Sequence, residues 1–208
     1  MSRAPLRLEV FSDYLCPWCH LAAHRLATIE AESGGALELD WRSYLLRPRP
    51  QAERELQEFV RYTQGWLRPA AEPDAPRFRV WESSEGPPSH SIPPHVVARA
   101  ARRLGASAGR AMHERLLRAY FEENRDISRE PVLRELWADV GLARDGFDAS
   151  RAPELVRETI DDHNAALELG ITGVPAVRVA GSDAFVMGAQ PLDVYRRWLR
   201  KLLAREAE

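Results

Sequence analysis

Cys16 and Cys19 are the only cysteines in the 208-residue chain, and they enclose Pro17 and Trp18. A pair with that spacing can serve thiol–disulfide exchange or zinc binding, and His20 completes a Cys-x-x-Cys-His string of the kind that carries covalent haem. Exchange needs one exposed thiolate to attack and a second thiol near enough to release the mixed disulfide. Two intervening residues in a helical first turn meet that need. Pro17 suits the first helical position, where a missing N–H costs nothing. Cys16 then lies at the helix N-terminus, where unpaired N–H groups and the helix dipole favour an anionic sulfur. Cys19, one turn in, is expected to be buried and to attack second.

The competing chemistries ask for more than the chain offers. Structural zinc takes four ligands, commonly from a second paired motif, and only His20 or His24 stands close by. No metal is expected. Haem attachment follows export, and the N-terminal stretch has neither an apolar core nor a small-residue cleavage site. Two inert buried cysteines are the remaining reading.

A second segment, Thr172-Gly173-Val174-Pro175-Ala176-Val177, starts a strand with a proline. In cis, Pro175 opposite the cysteines would leave the Val174 backbone free to pair with an extended peptide and keep metal-binding groups away. Pro17, Trp18, Tyr14 and His95 are the further candidates for substrate contact, with packing an equal reading for the aromatic ones. The other tryptophans read as core, and His24, His113 and His163 as surface residues without a role.

The elements that must position these residues follow from hydrophobic period. Leu6, Leu8 and Val10 alternate with Arg7 and Glu9 as a strand, a helix runs from Pro17 to Glu32, and a second strand covers 37–45. The proline-broken run 47–50 ends that strand, and helical period then holds for more than a hundred residues. Helices are predicted over 53–66, 94–104, 107–123, 130–140 and 153–169, with 69–93 as a mobile surface loop. Two strands, 176–180 and 184–187, joined by a Gly181-Ser182-Asp183 turn, and an amphipathic helix over 192–203 close the chain.

Composition removes several function classes. With 45% hydrophobic and 29% charged residues the chain is globular in type. A net charge of -2 with interspersed Arg and Glu gives no basic stripe for nucleic acid. No apolar run reaches the roughly 18 residues of a membrane span. Cytoplasmic residence is the expectation.

The strand-CPWC-helix opening and the Thr-Gly-Val-Pro segment resemble the DsbA family of thiol–disulfide oxidoreductases, in particular its FrnE-like cytoplasmic branch. So do Ala119-Tyr120-Phe121, Asp126-Ile127-Ser128, Val132-Leu133 and Gly141-Leu142 in the middle, and Gly188-Ala189-Gln190 near the end. The resemblance spans nearly the whole chain. It implies an α/β, thioredoxin-like fold with an inserted all-helical domain, the core formed by 1–46 and 171–208 and the insert by 47–170. It carries dithiol chemistry onto Cys16, Cys19 and Pro175. No cofactor beyond the Cys16–Cys19 redox disulfide is implied, with glutathione a candidate co-substrate. Partners would be a protein or small thiol and a recycling reductant or oxidant, for a monomer or homodimer. His20 departs from the branch, which has an aromatic residue there, as does the run from His90 to His95.

Two other functions stay open. A glutathione-dependent isomerase or kappa-type glutathione transferase shares the split fold, though such enzymes carry Ser at the position of Cys16. A chaperone whose lid holds unfolded chains is the third.

Overall fold

The computed structural model describes residues 4–51 and 55–205. Its sheet has four strands in the order β2-β1-β3-β4, with β1 Leu6–Ser12, β2 Leu37–Ser43, β3 Ala176–Val179 and β4 Phe185–Met187. Strand β2 runs parallel to β1, and β3 and β4 are antiparallel to their neighbours. The parallel pair requires a crossover, which is helix α1, Pro17–Glu32. Leu8 and Val10 of β1 pack with Leu26 and Ile29 of α1 and with Tyr195 and Leu199 of the closing helix, Leu192–Arg205. On the opposite face Phe11 meets Tyr44, Ala166, Ile171 and Ala176.

The alternation in β1 therefore does not divide core from solvent. Glu9 is buried and is held by Arg42 at 3.0 Å and Arg178 at 2.6 Å. A central strand covered on both faces accommodates a charge in this way, paired and hydrogen-bonded.

Between β2 and β3 the chain is helical. The helices are α2 Leu56–Thr63, α3 Leu67–Ala70, α4 Ile92–Arg103, α5 Ala106–Phe121, α6 Glu130–Asp139 and α7 Pro153–Glu168; the closing helix is α8. The helix expected from residue 53 begins at Leu56, and the first part of that expectation lies outside the described residues. Short 3-10 turns at Gln64–Trp66 and Arg144–Arg151, and helix α3, carry no period long enough to read. Helices α4 and α5 approach closely at Gly109, where an added Cβ would stand 2.9 Å from the Arg102 Cα.

The segment expected to be a mobile surface loop is instead pinned to the helical core. Pro69 lies within α3, Trp81 is buried beside Phe59 and Tyr120, and the Trp81 N–H donates to the Thr63 hydroxyl at 3.1 Å. The Arg79 N–H donates to the Phe121 carbonyl and the Glu82 N–H to Asn124 Oδ1.

The loop bearing the cysteines belongs to both halves of the molecule. Tyr14, Leu15 and Ala23 lie in the same buried cluster as Val96, Leu116, Tyr120 and Phe121 of the helical block.

Candidate active site

Strand β1 ends at Ser12, and four residues turn the chain into α1. The turn is built on Asp13, whose carboxylate accepts from the Leu15 N–H at 2.6 Å and from the Leu46 N–H at 2.7 Å. The Cys16 N–H closes the turn on the Asp13 carbonyl at 3.1 Å. Asp13 is fully buried, and that burial pushes its carboxyl up to about 6 against the lowering effect of these bonds and of Ser91. A buried acceptor for two backbone N–H groups fixes the turn and ties it to the chain leaving β2.

Cys16 caps α1 with extended backbone (φ -96, ψ 115), and Pro17 follows at the first helical position. The Cys19 and His20 N–H groups both donate to the Cys16 carbonyl, so the pair occupies a closed first turn. Both cysteines are free thiols. Cys19 is wholly buried, and burial together with its hydrogen bond to Cys16 pushes its thiol well above the ordinary range. It waits as a protonated thiol. Cys16, expected to be exposed, is itself 6% exposed.

Opposite stands the segment before β3. The Val174–Pro175 peptide is cis, and the Cys16 sulfur lies 3.5 Å from the Val174 carbonyl oxygen. Cys16, Cys19, Val174 and Pro175 thus come together from opposite ends of the chain, with half-buried Pro17 and exposed Trp18 at the rim.

Tyr14 and His95 do not join them. Tyr14 is buried, its hydroxyl 2.9 Å from His113 Nδ1 and its ring edge-on to His95 at 4.8 Å. The two line a cavity of about 650 Å³ between α1, β2, α4 and α5 that Cys16, Val174 and Pro175 do not line. His113, read from the sequence as a surface residue, is buried there and stacks on Trp41 at 4.1 Å. His163 is half-buried, its Nδ1 accepting from the Leu45 N–H.

His20, the third residue of a haem or zinc reading, is committed elsewhere. Its Nε2 donates to the Arg77 carbonyl at 3.2 Å and its ring stacks on Phe121 at 5.0 Å, which fills the aromatic position with an imidazole. Burial pushes its pKa down to about 4. Among the described residues, no three His, Cys, Asp or Glu side chains gather in an arrangement that could hold a metal ion.

Arg25 escaped the sequence reading. It sits on the inner face of α1, 2% exposed, and reaches Asp74, Glu72 and the carbonyls of Ala189 and Gln190. It joins α1 to the segment after α3 and to the turn after β4. An arginine three residues after Ala22 on an otherwise apolar face was the available signal.

Comparison with known proteins agrees with this geometry. A Nitrosomonas europaea structure superposes with a TM-score of 0.83 over 97% of this chain and 98% of its own at 16% identity, a likeness of fold alone. The cytosolic disulfide reductase DsbM from Pseudomonas aeruginosa superposes with a TM-score of 0.76 at 26% identity, covering 96% of this chain and 99% of its own. The Bacillus subtilis (strain 168) protein YwbO is 26% identical over 92% of this chain and 94% of its own length. The family model described as the DSBA-like thioredoxin domain matches residues 7–200, so this chain belongs to the DsbA family of thiol–disulfide oxidoreductases.

Proposed function

We propose that the chain exchanges disulfides through Cys16 and Cys19 on protein or small thiol substrates, as a member of the FrnE-like cytoplasmic branch. The observation that carries this reading is the Cys16 sulfur held at the start of α1, 3.5 Å from the Val174 carbonyl, with Cys19 buried behind it. Cys16 thiolate attacks one sulfur of a substrate disulfide, and the other sulfur leaves as a thiolate that takes up a proton. Cys19 then loses its proton and attacks Cys16, releasing the second substrate thiol. The Cys16–Cys19 disulfide that forms carries away the oxidising equivalent, two electrons having passed to the substrate. Run backwards, the same steps oxidise a substrate dithiol.

The Val174 backbone is assigned the pairing with an extended substrate, with Pro175, Pro17 and Trp18 as its flanking surface. Tyr14 and His95 act behind the site rather than on substrate. Glutathione is proposed as recycling reductant, supported by the DsbM structure with GSH, which is 27% identical to this chain. Among the described residues no helix is long and apolar enough to cross a membrane.

Insulin reduction by dithiothreitol, run with the wild type and with Cys16→Ser, tests the reading. Catalysed precipitation is expected for the wild type alone. Equal rates would reject the dithiol mechanism in favour of glutathione binding without redox turnover or of chaperone activity.

A further inference from the structure

Cys19 must lose its proton before it can attack Cys16, and it is 0% exposed. At that moment a substrate joined to the Cys16 sulfur covers what little of that residue meets solvent, so the proton has to leave from behind. The Cys19 sulfur meets the Cys16 thiol, the Asp13 backbone N–H and the Ser12 hydroxyl. The first is tied up in the mixed disulfide, and an amide N–H donates without accepting. A hydroxyl does both. Tyr195 of α8, also near Cys19, donates its hydroxyl to the Gly188 carbonyl at 3.1 Å. The Asp13 carboxylate, the nearest carboxyl in sequence, accepts from Leu15, Leu46 and Ser91.

Ser12 ends β1 with its backbone fixed in the sheet, paired with Ser43 and accepting from the Tyr44 N–H at 2.9 Å. Its side chain falls on the face shared with Leu8 and Val10, which α1 covers, because alternate residues of a strand point the same way. The cavity of about 650 Å³ between α1 and β2 lies on that face, and Ser12 lines it whereas Cys19 does not. Glu38, Ala106, Arg110 and Glu114 of the same lining are exposed, so the cavity runs from buried Ser12 out to water. We infer that Ser12 is the proton relay of the second thiol, its hydroxyl accepting the Cys19 hydrogen on one side and passing its own to water in the cavity on the other. The relay deepens the exchange reading above and rests on it. In this step the Cys19 proton goes to the Ser12 oxygen as the Ser12 hydrogen goes to water, and the Cys19 sulfur bonds to the Cys16 sulfur. The substrate thiolate leaves with the electron pair of the broken S–S bond and takes a proton from solvent.

Oxidised glutathione mixed with the reduced full chain tests the relay, each release of reduced glutathione and the adduct on the protein being timed by acid quench and intact mass. The wild type should release one glutathione as Cys16 takes the adduct and a second as Cys19 clears it. Ser12→Ala should leave the first release at its wild-type rate and slow the second about tenfold at pH 7, the factor of one lost hydrogen bond to a thiolate. The second rate climbs with pH as more Cys19 ionises, so in Ser12→Ala it should reach the wild-type pH 7 value only at about pH 8. Ser12→Thr keeps the hydroxyl and should stay within about threefold of the wild type, and Ser12→Val, its isostere without the hydroxyl, supplies the same test if the alanine variant does not fold. A second release equal to the wild type at every pH in a folded variant lacking the hydroxyl overturns the relay. So does an equal slowing of both releases with the pH profile unmoved, which would show that Ser12 only packs. A wild type that makes no first release overturns the exchange reading, and the relay with it.

Discussion

The Tyr14 hydroxyl and His113 Nδ1 stand 2.9 Å apart, joining the turn that precedes Cys16 to helix α5. Both groups are buried, so the bond is made away from water and its loss leaves an unpaired imidazole nitrogen. Tyr14→Phe keeps the ring on His95 and His113 and removes only the hydroxyl. Urea unfolding should show a loss of about 1–3 kcal/mol with an unchanged slope. A stability equal to wild type would mean that the bond contributes nothing across this join.

Acid should weaken the protein through its buried histidines. Burial pushes His95 and His113 down to about 3, with Arg99 and Arg102 opposing their charged forms, and the unfolded chain takes up its protons near 6.5. The unfolded state therefore binds more protons as pH falls, and stability that is full above pH 6.5 drains away towards pH 3. Asp13 works in the opposite sense: its carboxyl, raised from 3.8 to about 6, favours the fold increasingly as pH drops through that interval. Two histidines outweigh one carboxyl, so a net loss of a few kcal/mol is expected by about pH 4. Urea midpoints measured across pH should fall below 6.5, and His113→Phe should flatten the slope. A flat profile in the wild type contradicts the burial of neutral imidazoles.

The two cysteines should separate cleanly in a trapping experiment. Cys19→Ser leaves Cys16 able to attack but removes the thiol that releases the adduct. After incubation with oxidised glutathione, a persistent mixed disulfide on Cys16, formed with release of one reduced glutathione, should be visible in the intact mass and cleared by dithiothreitol. Adduct on Cys19 in a Cys16→Ser variant instead would reverse the assigned order.

Arg25 should be costly to remove. Its truncation strands Asp74, Glu72 and the carbonyls of Ala189 and Gln190, four acceptors met by one guanidinium. Arg25→Met keeps the stem and should cost about 3–5 kcal/mol in urea unfolding. Arg25→Lys should recover only part of it, since a point charge cannot reach all four acceptors. Full recovery by lysine would show that charge, not geometry, holds the turn after β4.

Gly109→Ala gives a steric counterpart. Its Cβ would meet the Arg102 backbone at 2.9 Å, which obliges α4 and α5 to separate despite alanine's better helix propensity. A loss of about 1–3 kcal/mol is expected, against a gain at an open helical glycine.

The strands, the long helices and the site were largely legible in the sequence, because each rests on local rules. Pro17 marks the helix start, alternation marks β1, and α1 ends at Glu32, ahead of the Ser33-Gly34-Gly35 stop. What stayed hidden depends on pairings across the chain. Helix α5 buries Met112, His113, Arg115, Leu116, Leu117, Ala119, Tyr120 and Phe121, leaving too little polar face for a lone histidine to be judged. Arg25 is buried only because partners 47–165 positions away reach it. The stretch around Trp81 has no period at all, since isolated anchors hold it rather than a repeating face, and the tryptophan itself was the one sign of burial.

Cys16 and the carbonyl it faces are 158 residues apart. On a ribosome adding roughly 5–20 residues each second, the thiol would emerge some ~10–30 s before its counterpart exists. During that interval β1 has β2 beside it but lacks β3, and the Cys16 sulfur stands without the Val174 carbonyl opposite it. A newborn chain would thus carry an uncovered thiol until the last strands leave the exit tunnel.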